Sequence, residues 1–170
     1  MPTMTLLPDG TAQNTGWLAN TGTVHDALDD DNGDTSYVHT TSDGRYLDIT
    51  CADPSVVEGD IASITSVKFL SSGRSTDRSN PALVDIAFAA PTAGFSETCS
   101  YDVHASSYET ILGTARTTSD GSNAWTYSDL ENLQMKCTKN GIVQVRLSYL
   151  ALKVSYVAAE DNAIFFGTNF

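Results

Sequence analysis

The chain has 170 residues and a formal net charge of −12, from 21 acidic against nine basic side chains. That length suits one domain, large enough to bury a core without help from a metal or a disulfide. The charge repels phosphate backbones and anionic lipid headgroups, which argues against nucleic-acid and membrane partners.

Charged residues make up only 18% of the chain, and Ser, Thr, Asn and Gly fill the gap. Such residues suit turns and the solvent faces of strands better than helix surfaces. Lys68, Lys136, Lys139 and Lys153 are the only lysines. The N-terminal Met1-Pro2-Thr3-Met4-Thr5 shows no basic region followed by an apolar run, so a secretory signal is not expected. No stretch approaches the ~18 apolar residues that a membrane span needs.

Residues 1–35 are rich in Gly, Asn, Asp and Thr, with Trp17 as the main apolar anchor. They predict an N-terminal arm with one or two short strands and then a turn at Asp29-Asp30-Asp31-Asn32-Gly33-Asp34. From Tyr37 onward, short β-type runs recur between turn residues. Leu47, Ile49 and Cys51 share one face of the run from Arg45 to Cys51. Ile61 to Leu70, Leu83 to Ala89, Thr98 to Val103 and Tyr108 to Ala115 are further candidates. Period-two alternation puts one face in and one out, and many such runs predict an all-β, antiparallel two-sheet sandwich over 36–157. Residues 71–81 carry almost nothing to bury and read as an exposed loop.

One short helix is predicted near 128–135. Ser128 stands as N-cap with Glu131 three residues later, a capping-box pattern, and Trp125 just before it would pack under the turn. The run from Ile142 to Val157 changes apolar parity at Tyr149-Leu150, which predicts a bulge in a long closing strand. Residues 158–170 form an apolar tail in which Ile164, Phe165, Phe166 and Phe170 are candidate assembly contacts.

Motifs for chemistry are missing. The three histidines, His25, His39 and His104, stand in no metal-binding spacing, and Cys51, Cys99 and Cys137 form no CxxC pair. There is no nucleophile elbow, phosphate loop or dinucleotide fingerprint, so neither a catalytic residue nor a cofactor is expected. The acidic run fails as an EF-hand: counted from Asp30, Thr35 stands where Gly is required, and counted from Asp29, Gly33 falls on a ligand position. An irregular loop site using Asp29, Asp31 and Asp34 stays open as the metal alternative to a solvated turn. Trp17, Tyr37, Tyr46, Tyr108 and Tyr127 are the aromatic candidates for contact with a sugar.

A broader likeness runs through Tyr108-Glu109-Thr110, Thr117 to Gly121, Trp125 to Gln134 and Val143 to Tyr156, with Pro8-Asp9-Gly10-Thr11 and Gly16-Trp17 ahead of the Asp-rich turn. This pattern resembles one common in structural proteins of tailed bacterial and archaeal viruses. The resemblance implies a jelly-roll-like sandwich in a virion. On it, the expected function is a non-enzymatic capsid decoration, cement or head-fibre subunit, a homo-oligomer with a trimer as the expected form, whose partners are the major capsid protein or other virion proteins. A tail or baseplate component of the same fold is one alternative. The other is a carbohydrate-binding module for host-surface glycans.

Overall fold

The computed structural model describes residues 1–77, 82–89, 98–103, 107–141 and 143–160, with the backbone alone at 82–83 and 98–103. Among the described residues eleven strands form in chain order: β1 (Thr3–Leu6), β2 (Pro8–Asn14), β3 (Leu18–Ala19), β4 (Val38–Thr40), β5 (Tyr46–Cys51), β6 (Ile61–Ser75), β7 (Ala82–Ala89), β8 (Thr98–Val103), β9 (Glu109–Leu112), β10 (Gln134–Asn140) and β11 (Val145–Ala158). One α-helix, α1 (Tyr127–Glu131), precedes β10.

Two antiparallel sheets result. The first runs β3-β4-β11-β6-β9, with β1 also paired to β11. The second runs β2-β5-β10-β7-β8. From β4 onward the pairing is nested: β4 with β11, β5 with β10, β6 with β9 and β7 with β8. Successive pairs fall in alternate sheets, which is the course of a long antiparallel ribbon rolled into a jelly roll. The fold class is thus the two-sheet sandwich that alternation predicts, with the jelly-roll-like course that the resemblance implies. β1 adds to one sheet and β2 to the other, so residues 3–14 are built into both. β1 enters beside the closing strand, Thr3 opposite Ser155, with Pro2 accepting from the Tyr156 N–H.

The core lies between the sheets. Val67, Phe69, Leu147, Leu150, Leu152 and Val154 face Leu47, Ile49, Ile86, Phe88, Met135 and Cys137, all at most 3% exposed. Cys51 and Cys137 are free, buried thiols. Burial pushes the Cys137 thiol up to about 12, so both behave as small apolar residues. Packing is close enough at one point to fix a residue type: a Cβ on Gly113 would meet the Phe69 ring at 2.4 Å.

Two local expectations need correction. The segment 71–81 is not a loop at its start, because β6 continues to Ser75 with Ser71, Ser72, Gly73 and Ser75 buried. A ladder with β11 runs to Ser75 and one with β9 flanks it as far as Gly73, so extension there needs no apolar side chain. The helix is capped two residues earlier than predicted. Thr126 Oγ1 accepts from the Asp129 N–H at 3.1 Å, and Asp129 Oδ2 accepts from the Thr126 N–H at 2.8 Å. Ser128 and Glu131 are exposed and cap nothing. Helix α1 stops at Glu131, and Gln134 already belongs to β10, where alternating burial of Met135 and Cys137 sets a strand.

The parity switch in β11 is a bulge. Leu147 pairs with Gly73 and Tyr149 with Ser72, leaving Ser148 as the extra residue. Both tryptophans are buried. Trp17 Nε1 donates to the Arg45 carbonyl at 3.3 Å, and Trp125 Nε1 to the Arg116 carbonyl at 3.1 Å. Ile164, Phe165, Phe166 and Phe170 lie outside the described residues, as does His104.

Candidate functional site

On the outer face of the first sheet, strand register brings four residues into one row: Leu18 opposite His39, His39 opposite Arg146, and Arg146 opposite Arg74. The loop between β3 and β4 folds over this row. Asn20 pins its two ends, accepting from the Tyr37 N–H at 2.7 Å and donating through Nδ2 to the Thr35 carbonyl at 3.1 Å. Gly33, at φ +60, turns the loop against the Tyr108 ring. A side chain at φ near +60 is strained, and glycine carries no such penalty.

Asp34 is thereby set over the row. Its Oδ1 accepts from Arg74 at 2.7 Å, from Arg146 at 2.8 Å and from the Tyr108 hydroxyl at 3.4 Å. Each guanidinium also lies against a ring, Arg146 at 4.5 Å from the Tyr37 centroid and Arg74 at 5.4 Å from Tyr108. Tyr37 tilts against His39 at 5.6 Å. Burial, and then the charge of Asp34, push the Tyr108 phenol up to about 12, so it stays protonated and able to donate. Asp31 accepts from the bulged Ser148 hydroxyl at 3.1 Å. The bulge therefore serves the site, turning a polar hydroxyl toward the loop.

This cluster offers recognition rather than reaction. Its guanidiniums are planar, always charged donors, and its rings are flat apolar surfaces with polar tips. His39 Nδ1 and Arg146 Nε are buried without a hydrogen-bond partner.

The residues singled out from sequence disperse. Of the three metal candidates, Asp34 is engaged by arginines, Asp31 by Ser148, and Asp29 lies just beyond the short 3-10 turn at 26–28. Among the described residues no group of His, Cys, Asp and Glu could hold a metal ion. Of the five aromatic candidates, Tyr108 reaches Asp34 and Tyr37 lies against Arg146, which also binds Asp34. Trp17 is core. Tyr46 lies under Lys136 Nζ on the second sheet, 4.1 Å from the ring centroid, and the Tyr127 hydroxyl donates to the Val56 carbonyl at 3.1 Å. Sequence reasoning missed Arg74 and Arg146. Their signal was present in β11, where Arg146 falls on the outward parity between Val145 and Leu147.

Two other polar clusters are structural. On the outer face of the second sheet, Lys136 reaches Asp48 at 3.7 Å and Asn140 Nδ2 donates to Asp85 at 2.7 Å. Burial holds the Asp48 carboxyl above its usual range, while Lys136 pulls it back. A cavity of about 290 Å³ lies beside Phe88 and Arg116. There the guanidinium is spent on the carbonyls of Phe88 and Ser119, at 2.7 and 2.9 Å, and stacks by Phe88 and Trp125.

No known family's sequence pattern matches the chain, and no curated protein matches its sequence. Similar solved structures exist. A carbohydrate-binding module of a Cellvibrio mixtus lichenase, in complex with cellotriose, has TM-score 0.48 at 14% identity, covering 90% of this chain and 98% of its own. A xylan-binding domain from Paenibacillus barcinonensis has TM-score 0.46 at 14% identity, covering 91% and 95%. A family two carbohydrate esterase from Cellvibrio japonicus has TM-score 0.45 at 12% identity, and the match covers 92% of this chain but 34% of the esterase.

Proposed function

We propose that this domain binds carbohydrate and performs no chemistry of its own. The observation that carries the reading is the strip Tyr37, Arg146, Asp34, Arg74, Tyr108 on an outer sheet face. Sugars present apolar C–H faces edged by hydroxyl pairs. Aromatic rings suit the first, and in-plane donors and acceptors suit the second. The rings and Asp34 hold both guanidiniums in fixed orientation, so little side-chain freedom is lost on binding.

Titration calorimetry against a panel of oligosaccharides tests this. Arg146→Ala and Tyr37→Ala should each weaken the bound saccharide about tenfold or more, with circular dichroism and melting temperature retained. Unchanged affinity in both variants, or no saccharide bound by the parent, overturns the reading.

A second reading is the virion-surface role, favoured by one observation: the jelly-roll strand order is the fold that the motif resemblance implies. The two readings are compatible, since a domain displayed on a particle can carry a sugar site. Native mass of the purified chain tests it. A stable trimer supports the role, and a monomer across the accessible concentration range counts against it.

A further inference from the structure

The outer face of the first sheet carries a second like-charge pair. Six residues along β6 from Arg74, Lys68 stands directly opposite Lys153 of β11. At roughly 3.3 Å per strand residue, the two pairs lie about 20 Å apart. Like charges directly opposite one another destabilise a sheet. The Arg pair is offset by Asp34, but among the described residues no carboxylate lies within ion-pair distance of Lys68 or Lys153.

The rows between are neutral. Tyr149 pairs with Ser72, and Ala151 with Leu70, which in turn pairs with Leu112. Beyond the lysines come Ser155 and Ser66, with Thr5 and Thr3 of β1 alongside. The strand residues of these rows are not acidic, and the acid beside them is Asp31 of the loop at the arginine end, which bonds Ser148 next to Tyr149. Four of the chain's nine basic residues thus share one face, in two cross-strand pairs joined by a half-apolar floor.

We infer that this face binds a linear acidic polysaccharide, its uronate carboxylates meeting the Arg74/Arg146 and Lys68/Lys153 pairs and its sugar rings lying over the floor between them. The inference rests on the carbohydrate-binding reading and names the class of glycan. Guanidinium forks match carboxylates in plane, and ammonium groups meet them as point charges.

The test is binding of uronate oligomers (galacturonate, mannuronate, guluronate and hyaluronan) beside their methyl-esterified forms and neutral oligosaccharides. The expected result is binding of at least one uronate oligomer and loss of that binding on esterification. Affinity should fall as salt rises from about 50 to 200 mM. The Lys68→Ala, Lys153→Ala double variant should weaken binding about tenfold or more, and the Lys68→Arg, Lys153→Arg double variant should retain it. Equal binding of acid and ester, or of neutral sugars alone, overturns the inference and leaves the carbohydrate reading standing. Equal binding of inorganic polyphosphate or single-stranded DNA reduces the face to general anion attraction and also overturns it. No saccharide bound at all removes both.

Discussion

Arg74 and Arg146 face each other across the β6–β11 ladder and donate to the same oxygen, Oδ1 of Asp34, at 2.7 and 2.8 Å. The carboxylate side chain is 56% exposed, so solvent screens the pairs. Asp34→Asn removes the carboxylate that the two opposed cations share. Urea denaturation at low salt should show a loss of about 0.5–1 kcal/mol. The loss should shrink near 1 M salt, where the screening length is about 3 Å. A variant as stable as the parent at low salt would show that Asp34 does not neutralise the pair.

The position of the helix cap is open to a two-variant comparison. Thr126→Ala removes the hydroxyl that accepts from Asp129, and it should cost about 1 kcal/mol in urea denaturation. Ser128→Ala touches an exposed side chain and should stay within ~0.5 kcal/mol of the parent. The reverse order would restore the cap to Ser128.

Trp125 joins three partners: the Phe88 ring at 6.2 Å, the Arg116 guanidinium at 5.6 Å and the Arg116 carbonyl through Nε1. Trp125→Ala should cost about 3–5 kcal/mol. A loss under about 1 kcal/mol would place the ring outside the core.

Asp120 organises the turn that leads to Trp125. The backbone N–H groups of Asn123 and Ser122 both donate to it, and they hold its carboxyl down at about 2 against an ordinary 3.8. Because the folded value is depressed, the stabilisation is fully present above the unfolded value and fades as pH falls through about 2. Carboxyl carbon shifts followed by NMR should titrate with a midpoint near that lower value. A midpoint at the ordinary 3.8 would mean that the turn hydrogen bonds do not form in solution.

Much of the sandwich was readable because burial on one face leaves period two in the sequence. Leu47, Ile49 and Cys51 show it, and the parity change in β11 exposes the bulge. The end of β6 was hidden for the opposite reason: Ser71 to Ser75 extend through backbone pairing with β11, and as far as Gly73 with β9 as well, which leaves no apolar trace. The cap was misplaced because two [ST]-x-x-[DE] patterns overlap at Thr126 and Ser128, and only tertiary packing chooses between them. Of the candidate site, Tyr37, Tyr108 and Asp34 were flagged one by one, in separate roles. Their convergence, and the two arginines between them, depend on pairing partners 72 residues apart in sequence, Arg74 and Arg146. No local pattern encodes that.

The pairing of β1 with the closing strand has a mechanical consequence. Thr3 lies opposite Ser155 with the strands antiparallel, so the chain enters and leaves this sheet at the same end. Tension applied through the two flanks would pull the strands apart sideways, along their hydrogen bonds, which run perpendicular to the strands. Those bonds would be loaded one after another, as in a zipper, and not together, as in shear. Resistance to pulling would therefore be low compared with thermal stability, with β1 peeling away first and the rolled ribbon of β4 to β11 left intact behind it.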